Sequence, residues 1–429
     1  MDPVLLVGIK TRQDQDWQVE EHLDELKMLA YNVDLKGVFR LVQKRDTPHN
    51  ATFVGSGMLE RIQQYVVNES LKAVIFDDEL TPAQQRNLEK ALSVPVYDRP
   101  FIILSIFSER AKTKEARTQV ALARMKYEYP RLKKMWTHLH RQAGRIGGRG
   151  GEGEKQLELD RRMARKKMGR LEQELKRFEI GRRTRKKQRR NLVNVALVGY
   201  TNAGKSSLMN QLTKAHVEAD DRLFVTLDAT SRIWNVDPVL KVVLSDTVGF
   251  IRKLPHDLVA SFRSTLSEVS DADLLFHVID AAHPHLEELR DTVVGVIESL
   301  IDTPIPTVLV FNKIDMLSEF EFKSLKRLFP DALFVSAIEK TGIDQLRGYV
   351  VEHFSKLIET RFYLLPMENM GQFYQVNDYG HVLHTHQLED GMLIEIKAFK
   401  ERLAALDRDI PSLIQLGAED YDERLRSAQ

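Results

Sequence analysis

Between residues 197 and 207 the chain reads Leu197-Val198-Gly199-Tyr200-Thr201-Asn202-Ala203-Gly204-Lys205-Ser206-Ser207. An apolar run, a G-x-x-x-x-G-K-S loop and a helix-like segment follow one another, which is the order of a strand, a phosphate-binding loop and a helix. Backbone N–H groups of such a loop point inward, and the helix N-terminus adds partial positive charge. We therefore predict that residues 199–207 bind nucleotide phosphates, with Lys205 reaching the β- and γ-phosphates and Ser206 ligating Mg²⁺.

A second motif identifies the base. The apolar run 307–311 ends in Asn312-Lys313-Ile314-Asp315, roughly 110 residues after the P-loop and at a strand end, where ligands bind in open α/β sheets. Asp315 can accept hydrogen bonds from the ring N1–H and the exocyclic amine of guanine, which adenine does not offer. Asn312 can bond the other edge of the base and brace the loop, and the stem of Lys313 can cover the ring. This motif predicts GTP as the substrate and switch ligand.

Two shorter motifs complete the series. Asp246-Thr247-Val248-Gly249 follows an apolar run, and here Asp246 can hold Mg²⁺ through water while the Gly249 N–H contacts a γ-phosphate. Another apolar run ends in Ser336-Ala337-Ile338, whose backbone N–H groups can meet the guanine carbonyl oxygen. The order P-loop, D-x-x-G, N-K-x-D and S-A, each closing a hydrophobic strand, matches translation-factor-related GTPases.

A switch loop is predicted at Phe224-Val225-Thr226-Leu227-Asp228. A hydroxyl from this loop would complete the Mg²⁺ shell and would become ordered only with GTP bound. We favour Thr226 for this ligand, with Thr230 as the second choice. The predicted Mg²⁺ ligands are Ser206, Thr226 and Asp246. The predicted catalytic residues are Lys205, Thr226 and Gly249.

Two residues bear on the rate of hydrolysis. Phe250 follows the D-x-x-G motif at the place where Ras-like proteins carry a water-orienting Gln. Because phenylalanine cannot position water, we expect slow unaided hydrolysis. Asn202 lies three residues before Lys205, where several GTPases that lack this Gln use an Asn to help hold a monovalent cation. We therefore predict stimulation by K⁺; the alternative is that Asn202 only stabilises its own turn.

The composition of the 429 residues excludes several classes of protein. The chain has no cysteine, which excludes disulfides, thiolate metal sites and a cysteine nucleophile and fits a reducing cytoplasm. It contains no run of about 18 apolar residues that would span a membrane. Its first residues lack the charged start and long apolar core of a signal peptide. We expect roughly two to four domains, a cytoplasmic location without membrane insertion, and a monomer.

The hydrophobic patterns predict an α/β fold class: a P-loop G domain, an N-terminal α/β domain carrying a long helical hairpin, and a small C-terminal α+β module. In residues 1–110, strand-like runs alternate with helical ones, one of which covers residues 82–92 with Thr81 as its N-cap. Residues 191–356 correspond to the G domain. Residues 357–429 hold short strand-like pieces and a helix.

Residues 111–190 have a different character, since they show long helical patterns and few strand signals. Pro130 should break the first helix, and the glycine-rich run 144–154 should be a loop between two helices. Residues 161–190 contain 15 Lys and Arg against 3 acidic residues. A solvated helix face is the usual meaning of a charge run, but this one-sided excess favours binding to RNA phosphates. Side chains suited to stacking and hydrogen bonding with RNA lie close by, at Trp136, His138, His140 and Arg141.

These features together resemble one family, the HflX GTPases. The combination of an N-terminal α/β unit, a basic helical hairpin with a glycine-rich loop and this type of G domain is similar to that family over essentially residues 1–360. Local sequence agrees at residues 136–139, 156–158, 199–206 and 246–258. Family members typically carry R-G-P-G-E-T before Q-L-E, whereas residues 149–155 read R-G-G-E-G-E-K, without the proline and one residue longer.

The resemblance implies a protein that binds the large (50S) ribosomal subunit, with its helical hairpin reaching toward the peptidyl-transferase region of 23S rRNA. The GTP-bound form would split stalled 70S ribosomes during stress, and hydrolysis would release it. ATP hydrolysis by the N-terminal region is also attributed to the family, but this sequence holds no second P-loop motif. Three alternatives stay open: a timer of large-subunit assembly, an ATP-dependent rRNA remodeller and a regulator of a membrane protease.

Overall fold

A computed structural model of the chain describes residues 1–134, 151–188, 192–213, 223–224, 230–253, 267–301 and 303–427. Three sheets organise these residues. Among the helices of this described part, none is long and apolar enough to cross a membrane. The bounds of the four domains inferred from the sequence stay a prediction.

The N-terminal sheet has four strands, all of them parallel. Its elements are β1 (Asp2–Lys10), α1 (Asp16–Tyr31), β2 (Leu35–Lys44), α2 (Ser56–Asn68), β3 (Ala73–Phe76), α3 (Pro82–Leu92), β4 (Val96–Asp98) and α4 (Arg99–Arg110). The strand order is β2-β1-β3-β4. Strands β1 and β3 are buried on both faces, which explains why their sequences are continuous apolar runs. The predicted N-cap of α3 is confirmed: the Thr81 side chain accepts from the N–H of Gln84, and Pro82 occupies the first turn.

Two helices follow this sheet and pack against each other: α5 (Lys114–Glu128), which runs into a 3₁₀ turn at Tyr129–Lys134, and α6 (Gly151–Gln188). As predicted, the first helix ends just before Pro130. Ion pairs join them, with Lys114 Nζ 2.7 Å from Glu174 Oε1 and Lys126 Nζ 3.8 Å from Glu172 Oε1. With 38 residues, α6 is about 57 Å long.

The predicted glycine-rich loop is partly wrong. Residues 151–154, Gly-Glu-Gly-Glu, begin α6 instead of continuing the loop. Acidic residues are favoured in the first turn of a helix, near the positive end of the helix dipole, so a run that alternates glycine with glutamate is compatible with a helix start. The remainder of the run, residues 144–150, lies outside the described residues, as do Trp136, His138, His140 and Arg141.

The G domain is built on a six-stranded sheet. Its strands are β5 (Val193–Gly199), β6 (Thr230–Asn235), β7 (Lys241–Asp246), β8 (Leu274–Asp280), β9 (Thr307–Asn312) and β10 (Leu333–Phe334). Its helices are α7 (Lys205–Thr213), α8 (Ser267–Ser270), α9 (Leu286–Leu300), α10 (Glu319–Leu328) and α11 (Ile343–Phe354). The order is β10-β9-β8-β5-β7-β6, and β6 alone of these runs antiparallel to its neighbour. Parallel strands bring the carboxyl ends of β5, β7 and β9, and the motifs that follow them, to one edge.

The C-terminal residues form an antiparallel sheet with helices, which is the predicted α+β module. Its elements are β11 (Ile358–Pro366), α12 (Phe373–Val376), β12 (His381–Gln387), β13 (Gly391–Phe399), α13 (Lys400–Asp409), β14 (Ile414–Leu416) and α14 (Ala418–Ser427). The strand order is β12-β13-β11-β14. Tyr363, Ile394 and Leu403 are fully buried in its core, and the Tyr363 hydroxyl donates to Asp407 Oδ1 at 2.6 Å.

One hydrophobic cluster joins the N-terminal sheet to the G domain. It contains Leu6 and Ile103 from the N-terminal part and Val198 and Phe250 from the G domain, all nearly fully buried. Burial of each such side chain stabilises the fold by about 1.5–3 kcal/mol, so this shared core ties the two parts together firmly.

Candidate functional site

The P-loop connects β5 to α7, and its shape depends on two glycines. Gly199 has φ +155° and Gly204 has φ +87°, conformations that L side chains rarely adopt. A Cβ at Gly199 would collide with the carbonyl oxygen of Val278, and one at Gly204 with the side-chain amide of Asn312. The loop is therefore packed too closely against β8 and β9 for any other residue at these positions.

Lys205, the first residue of α7, folds back over the loop. Its Nζ donates to the carbonyl oxygens of Gly199 at 3.1 Å and Tyr200 at 2.8 Å. Burial lowers the pKa of Lys205 to about 8, and the nearby Asp246 carboxylate partly opposes this. An anionic phosphate beside the ammonium would favour its charged form. The geometry thus holds a buried cation at the position predicted to contact the β- and γ-phosphates.

Two of the predicted Mg²⁺ ligands lie next to each other. The Ser206 hydroxyl donates to Asp246 Oδ2 at 2.6 Å, and Asp246 is fully buried at the end of β7. A hydroxyl and one carboxylate fit Mg²⁺, which takes oxygen ligands and usually keeps waters and substrate phosphates in its shell. Within the described ranges, no group of three or more His, Cys, Asp or Glu residues could hold a metal by itself.

Of the predicted switch loop 224–228, only Phe224 is among the described residues. Thr226, the favoured third Mg²⁺ ligand, lies outside the described residues together with Val225, Leu227 and Asp228. Phe224 is described: its ring is 3% exposed and packs edge to face on Phe107 of α4, with ring centroids 4.7 Å apart. Its side chain is thus a core residue, which leaves only its backbone for the predicted nucleotide contact. Thr230, the second choice, begins β6, and its hydroxyl lies 3.9 Å from Met209 Sδ.

Asn312 braces the predicted base site. Its Nδ2 donates to Ala203 O at 3.0 Å, and its Oδ1 accepts from Ala337 N at 3.1 Å, so one amide links the P-loop to the S-A loop. These contacts match the predicted bracing role. Lys313, with φ +65°, places its Nζ 2.6 Å from Asp280 Oδ2.

The remaining base-site residues follow β9 and β10. Asp315 is exposed in a 3₁₀ turn and available to a base. The backbone donors of the S-A loop are partly engaged within the protein, because Ser336 N donates to Thr341 O and Ala337 N to Asn312. Contact of these N–H groups with the guanine carbonyl oxygen stays a prediction. Ile338, whose side chain is exposed, holds the third predicted donor.

We call residues 246–253 switch II. Its backbone is joined to the P-loop, since Phe250 N donates to Gly199 O at 3.1 Å and Thr201 N to Phe250 O at 2.8 Å. A Cβ at Gly249 would lie 3.1 Å from Lys205 Nζ, so this glycine sits beside the buried lysine. The Thr247 hydroxyl donates to Leu197 O at 2.7 Å, which anchors the start of switch II on β5. Phe250 itself is 3% exposed, and its ring belongs to the core.

Sequence reasoning missed that the N-terminal domain contacts this site directly. The Tyr200 hydroxyl donates to Glu25 Oε1 at 2.5 Å, and Arg252 Nη1 lies 2.9 Å from Glu21 Oε2. Lys253 Nζ reaches Asp77 Oδ2 at 2.5 Å. The Tyr200–Glu25 and Arg252–Glu21 contacts border a cavity of about 200 Å³ between α1 and the P-loop. Partners up to 231 positions apart leave no local pattern in the sequence, so only the charge and aromatic character of the individual residues was visible.

A P-loop, a D-x-x-G motif and an N-K-x-D motif at one edge of a mostly parallel sheet define a P-loop GTPase. Three family models match the chain: "GTP-binding GTPase N-terminal" at residues 20–108, "GTP-binding GTPase Middle Region" at 110–189 and "50S ribosome-binding GTPase" at 194–313. The chain belongs to the HflX family of GTPases and hydrolyses GTP, which confirms the resemblance seen in the sequence.

Two named relatives from the HflX family show this assignment. The GTPase HflX of Flavobacterium psychrophilum is 41% identical over 383 residues, which is 84% of this chain and 92% of the relative. The GTPase HflX of Escherichia coli is 42% identical over 384 residues, or 87% and 89%. Among solved structures, a GTP-binding protein from Sulfolobus solfataricus in complex with GDP is 24% identical with a TM-score of 0.42, covering 83% of this chain and 100% of that one.

Proposed function

We propose that this GTPase binds the 50S subunit and uses GTP to split or rescue stalled 70S ribosomes, with hydrolysis triggering its release. The observation that carries the proposal is the position of α6. This long basic helix ends at Gln188, and β5, which leads into the P-loop, begins at Val193. A surface that binds RNA is thereby separated from the nucleotide site by one strand. Such a role implies a cytoplasmic protein, and we propose that it acts as a monomer.

The charge of α6 supports an RNA partner. Arg162, Lys166 and Arg170 are exposed and, at a spacing of four, lie on one face of the helix. Glu172 and Glu174, in contrast, pair with lysines of α5, so the acidic residues serve the packing of the two helices. An exposed row of cations on a helix where two of the acidic residues, Glu172 and Glu174, are already paired suits the phosphate backbone of 23S rRNA. The family description of the G domain as a ribosome-binding GTPase agrees with this partner.

For hydrolysis, we propose that Lys205 and Gly249 contact the γ-phosphate and that Ser206, Asp246 and Thr226 hold Mg²⁺. Catalysis by such a site rests on positioning and on neutralising the charge of the phosphates. Phe250 provides no water-orienting group, so we propose that contact with the ribosome orders the switches and raises the rate. The remaining nucleotide contacts are proposed for the P-loop 199–207, the switch loop 224–228, and residues 312–315 and 336–338.

Asn202 is the residue on which we base a role for K⁺. It has φ +62° in the middle of the P-loop, a backbone conformation in which Asn is enriched. We predict that the rate of GTP hydrolysis is higher in KCl than in NaCl at equal ionic strength. Asn202→Ser should remove the difference while GDP binding persists. Equal rates of the wild-type protein in the two salts would contradict this prediction.

The central experiment is sedimentation of 70S ribosomes with the protein and a non-hydrolysable GTP analogue. We expect 30S and 50S peaks to grow at the expense of 70S, with the protein in the 50S fractions. GDP in place of the analogue is the control and should leave 70S particles intact. If the 70S particles neither bind the protein nor dissociate, the proposal fails. Precursor subunits accumulating in depleted, unstressed cells would instead favour the assembly timer, and displacement of labelled GTP by excess ATP would favour the remodeller.

A further inference from the structure

We propose that Tyr200, Glu25 and Arg99 are positioning residues for GTP hydrolysis, which act through a closed ring of hydrogen bonds between the N-terminal domain and switch II. The ring runs from the Arg252 N–H through these three residues to Asp77 and Lys253, and the Arg252–Lys253 peptide closes it. The inference rests on the roles proposed above for Lys205 and Gly249.

Tyr200 joins three parts of the molecule. Its backbone carbonyl oxygen accepts from Lys205 Nζ at 2.8 Å. Its hydroxyl donates to Glu25 Oε1 of α1 at 2.5 Å and accepts from the Arg252 N–H at 2.9 Å. Burial and the Glu25 carboxylate raise the pKa of this phenol well above its ordinary value, so it remains a hydrogen-bond donor. One side chain therefore holds the P-loop, switch II and the N-terminal domain together.

Arg99 connects the two carboxylates of the ring that belong to the N-terminal domain, those of Glu25 and Asp77. It is the first residue of α4 and is fully buried. Its Nη2 donates to Glu25 Oε2, and its Nη1 donates to Asp77 Oδ1 at 2.7 Å. A guanidinium has a planar, rigid arrangement of donors, so two carboxylates bound to it are fixed relative to each other. The two carboxylates raise the pKa of Arg99 above its already high value, so the group stays charged.

Lys253 of switch II binds the Asp77 end of the ring. Its Nζ lies 2.5 Å from Asp77 Oδ2 and 2.6 Å from Asp78 Oδ1. The residue has φ +52°, a left-handed conformation that a non-glycine residue keeps only when its surroundings hold it. The ion pairs to the N-terminal domain provide that hold. Asp77 is 2% exposed, whereas the Lys253 side chain is 33% exposed, so this end of the ring meets solvent at the lysine.

The ring ends three residues from Gly249, whose N–H is predicted to contact the γ-phosphate. Phe250 lies between Gly249 and the ring. Its backbone N–H and carbonyl oxygen are hydrogen-bonded to Gly199 and Thr201 of the P-loop. A shift of Arg252 and Lys253 would therefore be passed to Gly249 and to the loop that holds Lys205. Catalysis by positioning is sensitive to small displacements of such groups. Buried ion pairs add little net stability compared with apolar packing, so their value here lies in the defined geometry.

The first test compares two matched phenylalanine variants of the full-length protein. Tyr200→Phe removes one hydroxyl from the ring and keeps its packing. Tyr127→Phe is the control, because the Tyr127 hydroxyl also donates to a buried carboxylate of the N-terminal domain, Asp98, at 2.7 Å, outside the ring. We expect Tyr200→Phe to lower kcat roughly tenfold, because it removes a hydrogen bond to a charged group. KM should change less than about twofold. Tyr127→Phe should leave both within about twofold.

The second test asks whether the residues act as one unit. If they do, Tyr200→Phe combined with Glu25→Gln should lower kcat no more than the stronger single variant. Arg99→Lys should keep more activity than Arg99→Met, because it keeps the charge. Additive losses, an unchanged kcat in Tyr200→Phe, or a rise in kcat would each overturn the proposal. Lys205→Ala separates the two levels. If it retains full activity, the site assignment fails and the ring proposal falls with it; if it abolishes hydrolysis while Tyr200→Phe leaves kcat unchanged, only the ring proposal is overturned.

Discussion

Asp315 is the residue from which base selectivity is expected. It is exposed after β9, so its replacement should not disturb the fold. Asp315→Asn loses the charge-assisted bonds to guanine and gains a donor for the extra oxygen of xanthine. Each lost bond of this kind is worth about 1.5–3 kcal/mol, so GTP affinity should fall at least roughly tenfold while that for xanthosine triphosphate rises. Competition against a fluorescent nucleotide measures both, with Asp331→Asn, another exposed acid, as the control. Unchanged selectivity would count against the base site.

His277 predicts how stability depends on pH. It lies in β8, is 1% exposed, and burial lowers its pKa to about 4, with Arg290 and Lys205 acting in the same direction. Between pH 6.5 and 4, the imidazole of His277 is therefore protonated in the unfolded chain but stays neutral in the folded chain. The free energy of unfolding should fall over this window by at most about 3 kcal/mol from this group.

Urea unfolding of the wild-type protein and His277→Gln at pH 7.5 and 5 measures this loss. The variant should lose less stability on acidification, with a remaining slope from His22, whose pKa burial also lowers to about 4. His384→Gln, at an exposed position, serves as the control. Identical acid-induced losses in wild type and His277→Gln would show that the buried ring is not responsible.

At the scale of single elements, the basic helix α6 predicts how binding to the 50S subunit depends on salt concentration. Replacing Arg162, Lys166 and Arg170 with Gln removes three exposed cations from one face of the helix. Each phosphate contact contributes roughly 0.7–0.9 to the slope of log affinity against log salt. We expect weaker binding to the 50S subunit and a slope shallower by about 2 to 3, measured by pelleting at several KCl concentrations.

A control with the same loss of charge separates local contact from net charge. Lys323, Lys326 and Arg327 are exposed on α10 of the G domain, and replacing them with Gln removes the same number of cations. These replacements should leave the salt slope of binding unchanged. If both triple variants reduce the slope equally, the effect belongs to overall charge and α6 is not the RNA-binding element.

For the whole molecule, the shared core makes nucleotide binding and folding of the N-terminal domain interdependent. A ligand present at 1,000 times its Kd stabilises the folded state by about 4 kcal/mol. Because Leu6 and Ile103 pack in one cluster with Val198 and Phe250, this stabilisation should extend to the N-terminal sheet. Hydrogen exchange with and without GDP should show slower exchange in β1 and β3 as well as in β5.

The C-terminal module provides the internal comparison for that experiment. Its core is a separate cluster, so amides of β13 should gain less protection from GDP than those of β1. Lys205→Ala, which weakens phosphate binding, should abolish the gain in both sheets. Protection confined to the G domain would show that the shared core does not transmit the effect.

Much of the fold was predictable because its signals are local. The buried strands β1 and β3 appear in the sequence as apolar runs. Thr81 as N-cap, followed by Pro82, predicted the start of α3. The start of α6 was not predictable from glycine content, since the preference of acidic residues for a first turn competes with the flexibility of glycine. For the C-terminal residues the sequence predicted only an α+β module, because two of the strands, β12 and β14, are largely exposed and show little hydrophobic alternation.

Each nucleotide motif consists of residues that are consecutive in the chain. The phosphate loop from Gly199 to Ser207 could therefore be recognised without coordinates. The ring that contains Tyr200, Glu25 and Arg99 is different, because its members lie far apart along the chain and meet only when the N-terminal domain packs against the P-loop and switch II. Hydrogen bonds depend on distance and direction in space, and no spacing in the sequence encodes them. The chain order thus specifies a GTPase, while the packing of its two α/β domains determines what holds switch II beside Lys205.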